Sequence, residues 1–283
     1  MFKPFSLKRS IGLSAAALVS GLLISGSASA GIITKWDFKI ESGFTAWAPN
    51  SGVTAFNFNN EGADTGLRWG ISTGSGQSSL TIDTGSAGSI DTYIGGGAVP
   101  ITYAENGDLI THNNNPITGT SLTSATVTST LTLTPLLPPN ISGNPSIPSL
   151  NINIDFAETP NSGTCATVSS PVPCNDIFVL AGGLLNSSFT FDSGDGIDQE
   201  YFVNVFPIAG SVLSTLSNAE CAAAGAANGC IGFSTVERQA NHVQFAFTVS
   251  TERLGIVPEP ASLALLGIGL LGLGATRRRK NPV

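Results

Sequence analysis

Residues 35–41 of the chain read Lys35-Trp36-Asp37-Phe38-Lys39-Ile40-Glu41, a strict alternation of charged and apolar side chains. In an extended strand, Trp36, Phe38 and Ile40 would share one face with Ile32, and the charged residues would share the other. An antiparallel sheet with one buried and one solvated face gives this pattern. Two such sheets must bury their apolar faces against each other.

The alternation returns in three later segments, which lie within residues 125–133, 150–156 and 243–249. Their apolar positions are Ala125, Val127, Leu131, Leu133, Leu150, Ile152, Ile154, Phe156, Val243, Phe245, Phe247 and Val249. Five prolines between residues 135 and 148 would break a helix repeatedly, so we interpret this connection as a surface loop. Only residues 218–228 look helical, with Asn218 as the N-cap.

The sequence therefore predicts an all-β fold, an antiparallel β-sandwich with one short helix, in preference to a barrel or a β-solenoid. Residues 31–256 are numerous enough for one large domain with its own core, and no linker or fixed-period repeat divides them.

The first thirty residues have the order of a secretory signal peptide. Lys3, Lys8 and Arg9 precede an apolar stretch from residue 11 to residue 24, and Ala28-Ser29-Ala30 is a small-residue cleavage sequence. Cleavage after Ala30 would leave Gly31 as the mature N-terminus.

The last 27 residues, 257–283, combine three features in a fixed order. Pro258, Glu259 and Pro260 precede an apolar run over residues 261–275, which is followed by the basic cluster Arg277, Arg278, Arg279 and Lys280. A fifteen-residue helix would span about 22 Å, short against a hydrocarbon core of roughly 30 Å. The basic cluster should stay cytoplasmic, which places the body of the precursor on the periplasmic side of the inner membrane.

This order resembles the PEP-CTERM sorting tail of bacteria that make exopolysaccharide. The resemblance implies that a membrane-embedded exosortase recognises and removes the tail after transient membrane insertion through its apolar helix. A simple C-terminal transmembrane anchor is the alternative.

Charge limits the partners of the body. Five of the twelve basic residues but all nineteen acidic residues lie in residues 31–260, which gives a net charge of −14. Such a domain is repelled by nucleic acid and by anionic lipid, so neither is an expected partner. Calcium, cationic polymers and neutral glycans remain open.

Several blocks of the body also resemble the THxN family of PEP-CTERM proteins. The blocks are Trp36-Asp37-Phe38, Ser42-Gly43-Phe44-Thr45-Ala46-Trp47, Leu67-Arg68-Trp69-Gly70, Thr111-His112-Asn113-Asn114, Cys174-Asn175-Asp176-Ile177-Phe178-Val179-Leu180 and Gly229-Cys230-Ile231-Gly232-Phe233. The name-giving motif is Thr111, His112 and Asn114. The resemblance implies export and exosortase handling, and it implies no known biochemical activity.

The four cysteines favour two local disulfides, because Cys165 and Cys174 are nine positions apart, as are Cys221 and Cys230. Three pairings exist in principle. A metal site or a catalytic thiol is a weaker interpretation, since no histidine lies within either interval.

His112 lies in a polar segment before Pro116, which we interpret as a loop over residues 111–115. The ring would brace that loop through its nitrogens, bind a glycan or an ion, or act in catalysis. Catalysis would require His112 or His242 to meet a nucleophile and an acid. No Gly-x-Ser-x-Gly elbow, His-Glu-x-x-His or phosphate loop supports this, so we do not predict an enzyme.

Two surface sites are further hypotheses. Asp192, Asp195 and Asp198 lie in an acidic segment between strand-like stretches, where oxygen ligands would suit calcium; a solvated acidic hairpin is the alternative. No other cofactor is predicted. Trp36 and Trp69 belong to apolar faces, which leaves Trp47 as a candidate platform for sugar stacking.

These observations together predict an exported component of the cell surface or exopolysaccharide matrix, structural or adhesive in role. A glycan-binding module of that matrix is the second interpretation, and a secreted hydrolase the third.

Overall fold

The computed structural model describes residues 31–59, 62–161, 165, 174–181, 185–208 and 213–254. The predicted signal peptide and C-terminal transmembrane helix lie outside the described residues. Within these ranges, no helix has the length and apolar character needed to cross a membrane.

Strands dominate the described residues, with one short α-helix and one 3₁₀ turn at Ile101–Tyr103. The elements are β1 (Lys35–Ala48), β2 (Val53–Phe56), β3 (Gly66–Trp69), β4 (Ile71–Ser72), β5 (Ser78–Asp83), β6 (Ala87–Tyr93), β7 (Glu105–Asn114), β8 (Ile117–Thr118), β9 (Ser124–Leu137), β10 (Leu150–Ala157), β11 (Asp176–Ala181), β12 (Ser187–Asp192), β13 (Asp198–Pro207), β14 (Ser214–Thr215), α1 (Asn218–Ala223), β15 (Ile231–Thr235) and β16 (Gln239–Ser250). The predicted all-β fold with one short helix is confirmed.

The strands form two antiparallel layers. One layer has the order β14-β15-β11-β10-β9-β1-β6, and the other contains β12-β13-β16-β7-β5-β3-β2. The layers join along one edge, where β6 pairs with β1 in the first layer and, in parallel, with the end of β16 in the second. The short β4 and β8 pair separately.

The core fills the space between the two layers. Trp36 of β1 packs edge-on against Phe189, Phe191 and Tyr201 of β12 and β13, with ring centroids 5.3–5.8 Å apart. Further along, Trp69 of β3 meets Phe156 of β10 at 5.1 Å. Aromatic side chains from opposite layers therefore interlock, as a sandwich requires.

The alternation read from the sequence corresponds to burial. Trp36, Phe38 and Ile40 are buried while Asp37, Lys39 and Glu41 are exposed. The apolar positions of β9 are buried in the same way up to residue 133, as are Ile152, Ile154 and Phe156 of β10, whereas Leu136 and Leu137 at the end of β9 are exposed. Strand β16 departs from the pattern, because its last six residues are buried on both faces.

Two local predictions were wrong. Pro135 does not begin a loop: it lies inside β9 opposite Trp36, next to a register shift, and an irregular position tolerates a residue without an N–H. The helix is also shorter than predicted and starts one residue earlier than the predicted cap implied.

Ser217, not Asn218, is the N-cap of α1, because its hydroxyl accepts the Glu220 N–H while the Glu220 carboxylate accepts the Ser217 N–H. The helix ends before Gly225, whose φ of +75° is a left-handed conformation that glycine adopts readily.

Candidate functional site

The Thr-His-x-Asn segment is not a loop, as the sequence suggested, but the end of strand β7. Residues on both sides pair with it: Thr111 is opposite Thr81 of β5 and opposite His242 of β16. Because neighbouring strands satisfy its backbone groups, the segment continues the sheet despite its polar composition.

Strand geometry divides the motif between two faces of the sheet. Thr111 faces outward, where its hydroxyl lies 2.9 Å from Nδ1 of the exposed His242. His112 and Asn114 face inward and are 0% and 1% exposed. The two histidines of the chain therefore lie on opposite sides of one sheet.

His112 is enclosed by aromatic rings. Its ring lies parallel to Trp69 at 6.0 Å and edge-on to Phe156 at 5.0 Å. Its Nδ1 is 2.8 Å from the hydroxyl of Thr235 at the end of β15, and its buried Nε2 has no hydrogen-bond partner. Burial lowers the pKa of His112 to about 3, so the imidazole is neutral at physiological pH.

Asn114 connects β7 to the turn between β15 and β16. Its side-chain Nδ2 donates to the Thr235 carbonyl at 2.8 Å, and its own carbonyl accepts the Arg238 N–H at 2.8 Å. These two bonds bracket Glu237. The Thr-His-x-Asn segment thus packs against the turn that carries a buried carboxylate.

Glu237 belongs to a cluster of three carboxyl groups that the sequence analysis did not identify. Glu158 follows β10, Asp176 begins β11, and Glu237 lies in the β15–β16 turn. One oxygen from each residue lies within 4.8 Å of the others. No motif spacing marks these residues, because the sheet, not the local sequence, brings them together.

The cluster is poorly supplied with donors. Trp69 Nε1 donates to Glu158 at 3.2 Å and the Thr159 N–H donates to Asp176 at 2.8 Å. Both oxygens of Glu237 are buried without a partner, whereas the Glu158 and Asp176 carboxyl groups act on each other as hydrogen-bond partners. Desolvation raises the pKa of all three groups, and the neighbouring Glu158 charge raises that of Asp176 further. Such a site can retain protons or hold a cation.

The acidic hairpin at Asp192, Asp195 and Asp198 has a different arrangement. One oxygen of Asp192 accepts the N–H groups of Gly194, Asp195 and Gly196, so it shapes the turn. Asp195 accepts the N–H groups of Ile197 and Gly31. Among the described residues, the structure gathers a three-carboxylate cluster at Glu158, Asp176 and Glu237 and not at this hairpin.

Both local cysteine pairs are bonded in the structure, consistent with the predicted connectivity. Cys165 bonds to Cys174 two residues before Asp176, and Cys221 of α1 bonds to Cys230 at the start of β15. The described cysteines include no free thiol.

The tryptophans are placed as the alternation suggested. Trp36 and Trp69 are fully buried, and Trp47 is half-buried and packs against the core. A half-buried ring offers a smaller stacking surface than the exposed platform that we considered from the sequence.

The sorting residues Pro258, Glu259, Pro260, Arg277, Arg278 and Arg279 lie outside the described residues, but a family comparison covers them. Residues 257–280 match the model of the PEP-CTERM protein-sorting motif. A comparison with curated proteins found no match. The chain therefore carries a PEP-CTERM sorting motif, the mark of an exported protein that an exosortase sorts through the membrane.

Proposed function

We propose that the mature protein is a structural or adhesive component of the cell surface or exopolysaccharide matrix. The observation that carries this proposal is the PEP-CTERM motif at residues 257–280, attached to a β-rich body with two disulfides. Disulfides persist in oxidising compartments outside the cytoplasm. The proposal includes no catalytic activity, since His112 is enclosed by aromatic rings and the His242 ring is hydrogen-bonded to the Thr111 hydroxyl.

The proposal is tested by intact mass and fractionation of the protein from cells with and without the exosortase. We expect a product that begins near Gly31 and ends near Pro258 in the matrix fraction, and a membrane-retained precursor when the enzyme is absent. Retention of the tail in both strains would contradict the proposal and indicate a permanently anchored surface protein.

A glycan-binding role is the second candidate, and the outer surface of β9 and β10 favours it. This surface carries a row of uncharged hydroxyl and amide side chains, of which Thr130, Thr132, Thr134, Asn151 and Asn153 are exposed. Thr128 donates to Asn151 at 2.9 Å and Thr126 to Asn153 at 3.0 Å, which orients the row. Such a surface can hydrogen-bond sugar hydroxyls without burying charge.

The two candidates differ in whether the exported protein binds isolated exopolysaccharide saturably. A binding module should lose this binding in the double variant Thr130→Glu and Thr132→Glu and keep it in Thr190→Glu, an exposed control on β12. Absence of saturable binding in the wild type would exclude the binding role. Shortening of the polymer would instead support the third candidate, a secreted hydrolase.

A further inference from the structure

Among the described residues, the carboxyl cluster at Glu158, Asp176 and Glu237 forms no salt bridge. Asp176 is 0% exposed and Glu237 is 6% exposed. The ion pairs found among the described residues, Lys35–Asp91 and Lys39–Glu41, lie on β1 and β6. Arg238 is the basic group that acts on Glu237, and its Nε donates to Ser75 Oγ at 3.3 Å.

Burial of three carboxylates with so few donors and without a cation is strongly unfavourable. Both oxygens of Glu237 lack any hydrogen-bond donor, although this side chain is more than nine-tenths buried. Asn114, from a different strand, holds the backbone on either side of Glu237. The unpartnered oxygens therefore indicate a missing positive ligand.

We propose that Glu158, Asp176 and Glu237 bind one calcium ion, which fastens the end of β10, the start of β11 and the β15–β16 turn to one another. Asn114 is a positioning residue that fixes Glu237 toward this ion.

The donor set selects the class of ion. All three ligands are carboxylate oxygens, and hard cations such as calcium prefer oxygen, whereas zinc sites usually contain histidine or cysteine. Oxygens around one calcium at about 2.4 Å lie at most about 4.8 Å apart, which the cluster meets. Magnesium demands a more regular octahedron with several waters, so calcium suits a half-enclosed cluster better.

The location gives the ion a structural task and a route of entry. Glu158 is the first residue of the β10–β11 connection, and Asp176 is the first residue of the strand that follows it. The neck of this connection is closed by a hydrogen bond from the Cys174 N–H to the Pro160 carbonyl and by the Cys165–Cys174 disulfide. Glu158 is the least buried of the three ligands, so an ion can reach the cluster from the side on which Glu158 lies.

The test uses the exported protein, treated with EDTA, desalted and titrated with calcium chloride at pH 7.5. Calorimetry should show one calcium per chain with a Kd on the order of 0.1–1 mM, a range found in extracellular modules. Thermal unfolding should show a rise in Tm of several degrees.

Asp176→Asn and Glu237→Gln should lose both the calorimetric signal and the Tm rise. In the absence of calcium each variant should melt at or above the wild-type Tm, because each replaces a desolvated carboxyl group with a neutral amide. Asp198→Asn, an exposed carboxylate of the acidic hairpin, is the matched control and should respond like the wild type.

The proposal is overturned if the wild type shows no saturable calcium binding at concentrations up to about 5 mM. It is equally overturned if Asp176→Asn and Glu237→Gln keep the response, or if Asp198→Asn loses it, which would place calcium at the hairpin. The wild-type stoichiometry is measured independently of the variants, so a variant that fails to fold does not remove the test.

Discussion

At the scale of single residues, His112 shows how surroundings decide a protonation state. The side chain is fully buried between Trp69 and Phe156, and the polar group nearest to its ring is the Thr235 hydroxyl. No described contact of the ring is with a charged group. The imidazole therefore serves the fold as a neutral aromatic side chain with one hydrogen bond, not as an acid or a base.

This burial predicts a dependence of stability on acid pH. The pKa of His112 falls to about 3 in the folded state, against an ordinary value of 6.5, so the unfolded chain binds a proton first as the pH falls. The contribution of the neutral His112 to the free energy of unfolding is complete above pH 6.5. It is lost between pH 6.5 and 3, by at most about 1.4 kcal/mol per pH unit.

The free energy of unfolding, measured by urea titration between pH 7 and 4, tests this expectation. His112→Gln should have a shallower acid-side slope than the wild type, and the exposed His242→Gln should keep the wild-type slope. Equal slopes in His112→Gln and the wild type would contradict the assignment of the acid sensitivity to His112.

At the scale of elements, strands β11 and β15 approach each other so closely that one position must be glycine. Gly232 lies opposite Val179, and a Cβ there would overlap the carbonyl oxygen of Phe178. It would also lie 2.9 Å from the Leu216 side chain. This pairing carries Asp176 at one end and Thr235 opposite it, so the glycine supports the geometry of the carboxyl cluster.

Gly232→Ala should lower the free energy of unfolding by roughly 2–3 kcal/mol, because backbone atoms cannot yield as a flexible side chain can. Gly107→Ala in β7 is the control, since its Cβ would meet Ile40 at an ordinary 3.5 Å. We expect the control to change stability by about 0.5 kcal/mol or less. Urea denaturation of both variants measures the difference, and equal losses would refute the steric explanation.

At the scale of the whole molecule, the two described ends of the chain are tied to the β12–β13 hairpin. The Gly31 nitrogen lies 2.9 Å from Asp195 Oδ2, and Leu254 exchanges two hydrogen bonds with Asn186 just before β12. Signal-peptide cleavage after Ala30 would turn the Gly31 N–H into an ammonium group facing a carboxylate. Export would thereby add an ion pair to the folded body.

Asp195→Asn should therefore destabilise the mature protein by at most about 1 kcal/mol, since the pair is partly exposed. The amide keeps an oxygen for the Ile197 N–H, but its NH₂ group replaces the oxygen that accepts from Gly31, so the charge and that acceptor are both lost. Thermal unfolding after N-terminal sequencing is the measurement, with Asp198→Asn as the control. The difference should shrink once the N-terminal amine is acetylated, because the ion pair is then absent from both proteins; an unchanged difference would assign the effect to the turn instead.

The sequence by itself determined the alternating strands and the exosortase-sorted export of this protein. Side-chain alternation around Trp36 and Phe38 is a local property, because it follows from the period of an extended chain, and the sorting motif is contiguous. Both can be read without knowing which strands are neighbours.

Only the tertiary structure decided where His112 lies and that Glu158, Asp176 and Glu237 meet. A polar segment such as residues 111–114 is typical of a loop when only the sequence is known. In the structure, strands on both sides pair with its backbone, and the alternation of side chains along the strand turns His112 inward. The three acids lie just after β10, at the start of β11 and in the β15–β16 turn, and strand pairing between β10, β11 and β15 brings one oxygen of each within 4.8 Å of the others. Such a cluster is a consequence of sheet order, which no local pattern encodes.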